Sequence, residues 1–233
     1  MWKQLRPENA LIKTAENRYR TVSSVVISGK VTIPSLTQTE LDNWSHQMAS
    51  IGVFDKGDVA VLGDYNETPL ITPGLQDSID SWLLKQGITR ETCTKGALPL
   101  ACVGASFHHD GDSCPSQVFC IIWLAADTPW DLVFPFQNVR IPLEYGTIVL
   151  FDSAQPHGVV AAGATVFEPD SLGYLSGIFI SQDLWINPLV QQVMAITVLP
   201  DSSCDDFVVI NDNLYQEELN GRDGSWHVKP FPV

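Results

Sequence analysis

The sequence predicts a mainly β domain, a sandwich or barrel with helical support at its N-terminal end. Three observations carry this. From about Leu98 onward, short β-branched or aromatic runs follow one another, among them "SQVFCIIWLAA", "DLVFPF", "VRIPL", "GTIVLFDS" and "HGVVAAGATVF". Turn-forming stretches such as "DGDSCP", "DTPW" and "EYG" separate them, and no helical pattern intervenes. Apolar residues recur at helical spacing only before this region, in two segments.

Taken in order, "TVSSVVISGKVTIPSL" (21–36) reads as β-rich around a Ser28-Gly29 turn. A helix follows from Thr37 or Thr39, with Glu40 completing a capping signal and Leu41, Trp44 and Met48 on one face. "DYNETPLITPG" is a loop by its Pro, Gly and Asn content, and a candidate lid. "LQDSIDSWLLKQGI" is a second amphipathic helix, stopped at Gly87. The last 50 residues are mixed in pattern. The expected organisation is one domain over 1–233: supporting helices and strands in 1–97, a β core in 98–182 and a C-terminal extension in 183–233.

Composition bounds the function. The 233 residues carry 27 acidic and 13 basic side chains, a net charge of −14, which repels nucleic acid and anionic lipid. A small-molecule or peptide substrate fits that field better. Cys93, Cys102, Cys114, Cys120 and Cys204 are odd in number and form no CxxC, so reduced thiols are expected. The N-terminus has no apolar signal region and no run reaches the length of a membrane span, so a cytoplasmic location is expected. There is no GxSxG elbow, no P-loop and no GxGxxG.

The chemistry concentrates in "GASFHHDGDSCP" (104–115), which holds two of the five histidines. On a strand, His108 and Asp110 project from one face and His109 from the other. Such a His-x-Asp pair can hold a metal in a cis arrangement, given a third ligand from elsewhere in the fold. His157, just past Pro156 in "GTIVLFDSAQPHGVV", is the candidate. Two histidines and one carboxylate make a facial triad, suited to non-haem Fe(II) with open coordination positions. The bland alternative is a hairpin turn solvated by Asp110, Gly111, Asp112 and Ser113. His46, on the first helix, and His227, beside Trp226, read as structural.

The stretch 98–182 resembles the iron(II)/2-oxoglutarate-dependent dioxygenase superfamily. "SFHHDGD" resembles its first motif, "SQVFCIIWLA" the strand after it, and "IPLEYGTIVLFDSAQPHGV" the approach to its distal histidine. The resemblance implies a double-stranded β-helix (jelly-roll, cupin-like) core with flanking helices. It also implies Fe(2+) held by His108, Asp110 and His157, 2-oxoglutarate and O2 as co-substrates, and hydroxylation of a substrate C–H bond. Trp123, on the strand after the first motif, reads as a core tryptophan, with lining of the pocket as the other reading.

One part of the pattern is missing. The family places an Arg or Lys one strand beyond the distal histidine, to pair with the far carboxylate of 2-oxoglutarate. No Lys or Arg occurs anywhere in residues 141–221. The alternatives are Arg140, on a strand expected to run antiparallel to "GTIVLFD", the hydroxyls of Tyr174 and Ser176, or Arg222, Lys229 or Lys95 folded over the mouth. A cupin-like metal protein or a ligand-binding barrel without 2-oxoglutarate is the other reading of the same residues.

Overall fold

The structure is a computed structural model that describes residues 3–35, 37–42, 56–62, 70–125, 128–172, 177–199, 207–210 and 215–230. The N-terminal part contributes β1 (Lys3–Gln4), β2 (Ala10–Lys13), β3 (Tyr19–Thr21), β4 (Val26–Lys30) and β5 (Val59–Val61). Helix α1 (Pro73–Lys85) leads into β6 (Cys93–Cys102). Next come β7 (Ala105–His108), β8 (Gln117–Trp123), β9 (Trp130–Phe134), β10 (Val139–Pro142), β11 (Thr147–Asp152), β12 (His157–Ala161) and β13 (Gly177–Trp185). Helix α2 (Pro188–Val193) is followed by β14 (Val198–Leu199), β15 (Val208–Val209), β16 (Tyr215–Leu219) and β17 (Trp226–Pro230).

Two antiparallel sheets face each other. The larger has the order β4-β11-β8-β13-β6-β5 and the smaller β10-β9-β12-β7. From β6 to β13 the chain passes back and forth between them, and this winding is a double-stranded β-helix. The central strand β8 explains the long apolar run "VFCIIW". Val118, Cys120 and Ile122 pack outward with Leu75, Ile79 and Leu83 of α1, while Ile121 and Trp123 pack inward with Leu132 and Phe151. A strand covered on both faces loses the polar alternation of a half-exposed one.

Helix α1 starts at Pro73, where the Thr72 side chain accepts a hydrogen bond from the Leu75 amide (3.3 Å), and ends before Gly87, whose φ is +84°. Of the first predicted helix, residues 37–42 are helical and the remainder lies outside the described residues. The expected turn at Ser28-Gly29 is instead the middle of β4, paired with β11. Gly29 is there for close approach: a Cβ would sit 2.5 Å from Nε1 of Trp82 on α1.

Gly177 plays the same part inside the barrel. A Cβ at this position would lie 2.2 Å from the Trp123 ring and 2.8 Å from Trp130. Gly177→Ala is therefore expected to cost about 1–3 kcal/mol through overpacking. Urea unfolding would measure it, together with a changed near-ultraviolet signal from the two tryptophans. A midpoint and signal equal to the parent's would show that the wall yields freely.

Two smaller sheets brace the barrel, β14-β3-β2-β15 and β1-β17-β16. The C-terminal hairpin packs on the first motif, where the Phe107 amide donates to the Gly221 carbonyl (2.8 Å). No helix among the described residues is long and apolar enough to cross a membrane.

Candidate metal centre

Antiparallel pairing of β7 with β12 sets His157 directly opposite His108. Their rings lie 4.5 Å apart, and Asp110 Oδ2 is 3.7 Å from Nε2 of each. One donor atom from each of the three residues falls within 4.8 Å of the others. Cis ligands about 2.1 Å from one ion stand about 3 Å apart, so small side-chain rotations bring the three onto a common centre.

The backbone orients both imidazoles in the same way. His108 Nδ1–H donates to the Ser106 carbonyl (2.7 Å), and His157 Nδ1–H donates to the Gln155 carbonyl (2.8 Å). A carbonyl only accepts, so each proton resides on Nδ1 and each Nε2 lone pair faces Asp110. Burial, and then the adjacent His108, push the His157 pKa well below the usual histidine value, which keeps its lone pair available. Burial raises the Asp110 pKa against the opposing influence of His108 and His109. A cation would compensate that buried carboxylate.

The loop that carries Asp110 is held from beneath. The Asp110 amide donates to the Ser153 carbonyl (2.7 Å), and the Ser153 hydroxyl donates to the carbonyls of Cys114 and Gln117 (2.9 Å each). Beside it, Asp152 forms a fully buried pair with Arg20 of β3, at 2.7 and 2.9 Å. Asp152 also accepts from the amides of Ser23 (2.8 Å) and Ala154 (3.0 Å). Sequence reasoning missed this pair. The one signal was an acidic residue ending an otherwise apolar strand in "GTIVLFD".

His109 follows the last residue of β7, and its side chain points away from the triad. Its Nε2 lies 3.2 Å from Glu217 Oε1 of β16, and its ring packs 5.2 Å from Trp226 of β17. Burial works against protonation of His109, but the hydrogen bond and charge of Glu217 outweigh it and raise its pKa. The C-terminal extension thus grips the first motif from behind.

The remaining predicted residues are dispersed. Trp123 lines the cavity that opens at the triad, and its Nε1–H donates to Thr128 Oγ1 (3.0 Å). Arg140 does not reach the interior. Strand β10 pairs with β9 of the smaller sheet and not with β11, and the Arg140 guanidinium binds Asp131 (2.7 Å) and the Ala164 carbonyl. The reason is topological, since the "EYG" turn carries the chain from one sheet to the other. Arg222 lies on the surface, paired with Glu168 (3.1 Å). Lys229 is on β17, away from the cavity lining. Tyr174 and Ser176 lie outside the described residues, as does the Lys95 side chain.

The cavity behind the triad has a volume of about 350 Å³ and a mostly apolar wall. Burial pushes the Cys102 thiol in that wall up to about 12, so it lines the space as a neutral group.

No protein-family model and no curated protein sequence matches this chain. Solved structures resemble it at low identity. A prolyl hydroxylase from Trichoplax adhaerens, in complex with a hypoxia inducible factor oxygen degradation domain peptide, has a TM-score of 0.46 at 16% identity, over 72% of this chain and 86% of that one. A viral collagen prolyl hydroxylase from Paramecium Bursaria Chlorella virus-1, in complex with 2-oxoglutarate, has a TM-score of 0.43 at 13% identity, over 68% and 94%. A non-haem α-ketoglutarate-dependent epimerase of nogalamycin biosynthesis has a TM-score of 0.47 at 9% identity, over 79% and 89%.

Proposed function

We propose that this chain is a non-haem Fe(II) oxygenase, an oxidoreductase that holds its metal on His108, Asp110 and His157 and oxidises an organic substrate in the barrel. The observation that supports it is the convergence of two Nε2 lone pairs and one carboxylate at the open end of an apolar cavity. A structural site would spend four ligands and close, whereas three donors on one side leave positions open. Ferrous iron in such a site supplies the binding and activation of O2.

The chain's own residues do the rest. Hydrogen bonds to the Ser106 and Gln155 carbonyls fix the imidazole tautomers. Asp110 supplies the negative charge that favours a divalent cation over a neutral ligand. Phe151, whose ring lies 4.7 Å from that of His157, shields the inner side of the site from water.

2-Oxoglutarate is the co-substrate that the resemblance implies, and only half of it suits this site. Its 2-oxo acid end matches open positions beside three protein ligands. Its distal carboxylate finds no Lys or Arg among the described residues that line the cavity. The alternative, a cupin-like metal barrel that does not use 2-oxoglutarate, is favoured by that same observation.

Anaerobic titration of the apoprotein with Fe(II) is the test, with one ion per chain as the expected stoichiometry. Absence of saturable binding would sink the proposal and leave "SFHHDGD" as a turn.

A further inference from the structure

The strand register measures distance along the cavity wall from the candidate metal centre. At the level of His157, Phe151 pairs with Phe119, and Phe119 pairs in turn with Asp183. Two residues further along each strand, about 7 Å away, Ile121 stands opposite Ser181, which in turn stands opposite Leu98. Another step along, Trp123 pairs with Phe179 and Phe179 with Leu100. The Trp123 and Phe179 rings are stacked, with centroids 5.6 Å apart and planes within 13°.

A dicarboxylate chelating the metal through one end would set its other carboxylate at the level of Ile121 and Ser181. The polar group in the wall there is the Ser181 hydroxyl, which already donates to Asp183 Oδ1 (2.9 Å). An ionised carboxylate would therefore be buried without a cation among the described lining residues. Burial of an unpaired charge is strongly unfavourable. A hydrocarbon group meets the opposite situation, because Ile121, Leu98, Trp123, Phe179, Leu100 and Leu132 offer it contact throughout the depth of the space.

We infer that the chamber takes the uncharged hydrocarbon body of the substrate, with its reacting end toward His108, Asp110 and His157, and does not take the distal carboxylate of a dicarboxylate co-substrate. The inference rests on the metal reading for the direction in which the substrate lies, and not for the chemistry of the wall.

The test is calorimetric titration of the full chain, loaded anaerobically with Fe(II), using linear 1-alkanols from butanol to octanol, then glutarate, then 2-oxoglutarate. Each added methylene is expected to tighten binding about fourfold until the chamber is filled. Glutarate is expected not to bind, and 2-oxoglutarate to produce no visible charge-transfer band. Affinity that does not rise with chain length, or a 2-oxoglutarate chelate with its band, would overturn the inference. Ile121→Trp, which fills the middle of the chamber, is expected to weaken octanol binding at least tenfold while butanol is affected less. Equal losses for both alkanols would count against the assignment. Should this variant not fold, the parent series decides alone. An intact alkanol series without iron binding would uphold the chamber and remove the metal reading.

Discussion

Replacing His157 with Ala is expected to abolish stoichiometric Fe(II) binding. Of the three proposed ligands it alone is buried, and its Nε2 closes the set at 3.7 Å from Asp110. The variant leaves His108 and Asp110, both half-exposed, as a two-point site that water competes for. Loss of an outer-shell partner costs about 10–100-fold in metal affinity, and loss of a direct ligand is expected to exceed that range. The informative control is His109→Ala. His109 is adjacent to two ligands in sequence, yet it faces Glu217 and Trp226 on the far side of the strand. That variant is expected to lose stability while keeping one iron per chain. If His109→Ala lost the ion and His157→Ala kept it, the placement of His109 on the opposite side from His108 and Asp110 would be wrong.

Arg20→Met is expected to destabilise the fold by about 3–5 kcal/mol, because it leaves the Asp152 carboxylate buried without its cation. All three nitrogens of that guanidinium donate. Two nitrogens meet the Asp152 oxygens, Nε–H donates to the Pro115 carbonyl (2.5 Å), and Nη1 also donates to the Thr21 carbonyl (3.1 Å). Domains are stable by only about 5–15 kcal/mol, so this one change removes a large share. Urea unfolding with an unchanged m-value and a lowered midpoint would show it. The double variant Arg20→Met, Asp152→Leu is expected to regain part of the loss. Recovery stays incomplete because Asp152 also serves the Ser23 and Ala154 amides. A single-variant loss below about 1 kcal/mol would mean that the pair is no more than a surface-type bridge.

The pair shows where sequence reasoning stopped. Arg20 and Asp152 are 132 residues apart, and neither stretch names the other. Its consequence for function is nonetheless direct. Asp152 begins the turn whose Ser153 carbonyl receives the Asp110 amide and which ends at His157. A β3 residue from the N-terminal support thus braces the frame that carries Asp110 and His157.

Local periodicity, by contrast, was readable. The period of two read along "SFHHD" predicts His108 and Asp110 on one side and His109 on the other; the structure keeps that separation although β7 ends at His108. The "EYG" turn marks a strand end because few residue types accept its backbone angle; Gly146 has a φ of +77°. Gly29 misled for an instructive reason. In a strand interior, glycine marks either a turn or a close approach, and only the position of Trp82 on α1 distinguishes them.

The sequence by itself determined a mainly β chain, the positions of its core strands and the donor groups available at His108, Asp110 and His157, because strand period, turn chemistry and side-chain donors are local properties. Only the tertiary structure decided which sheet each strand joins. That choice places His157 opposite His108, sends Arg140 to Asp131 and lines the space behind the metal ligands with Trp123 and Phe179. Strand partnership depends on how two sheets bury their faces against each other, a balance summed over the whole chain and written in no single stretch of it.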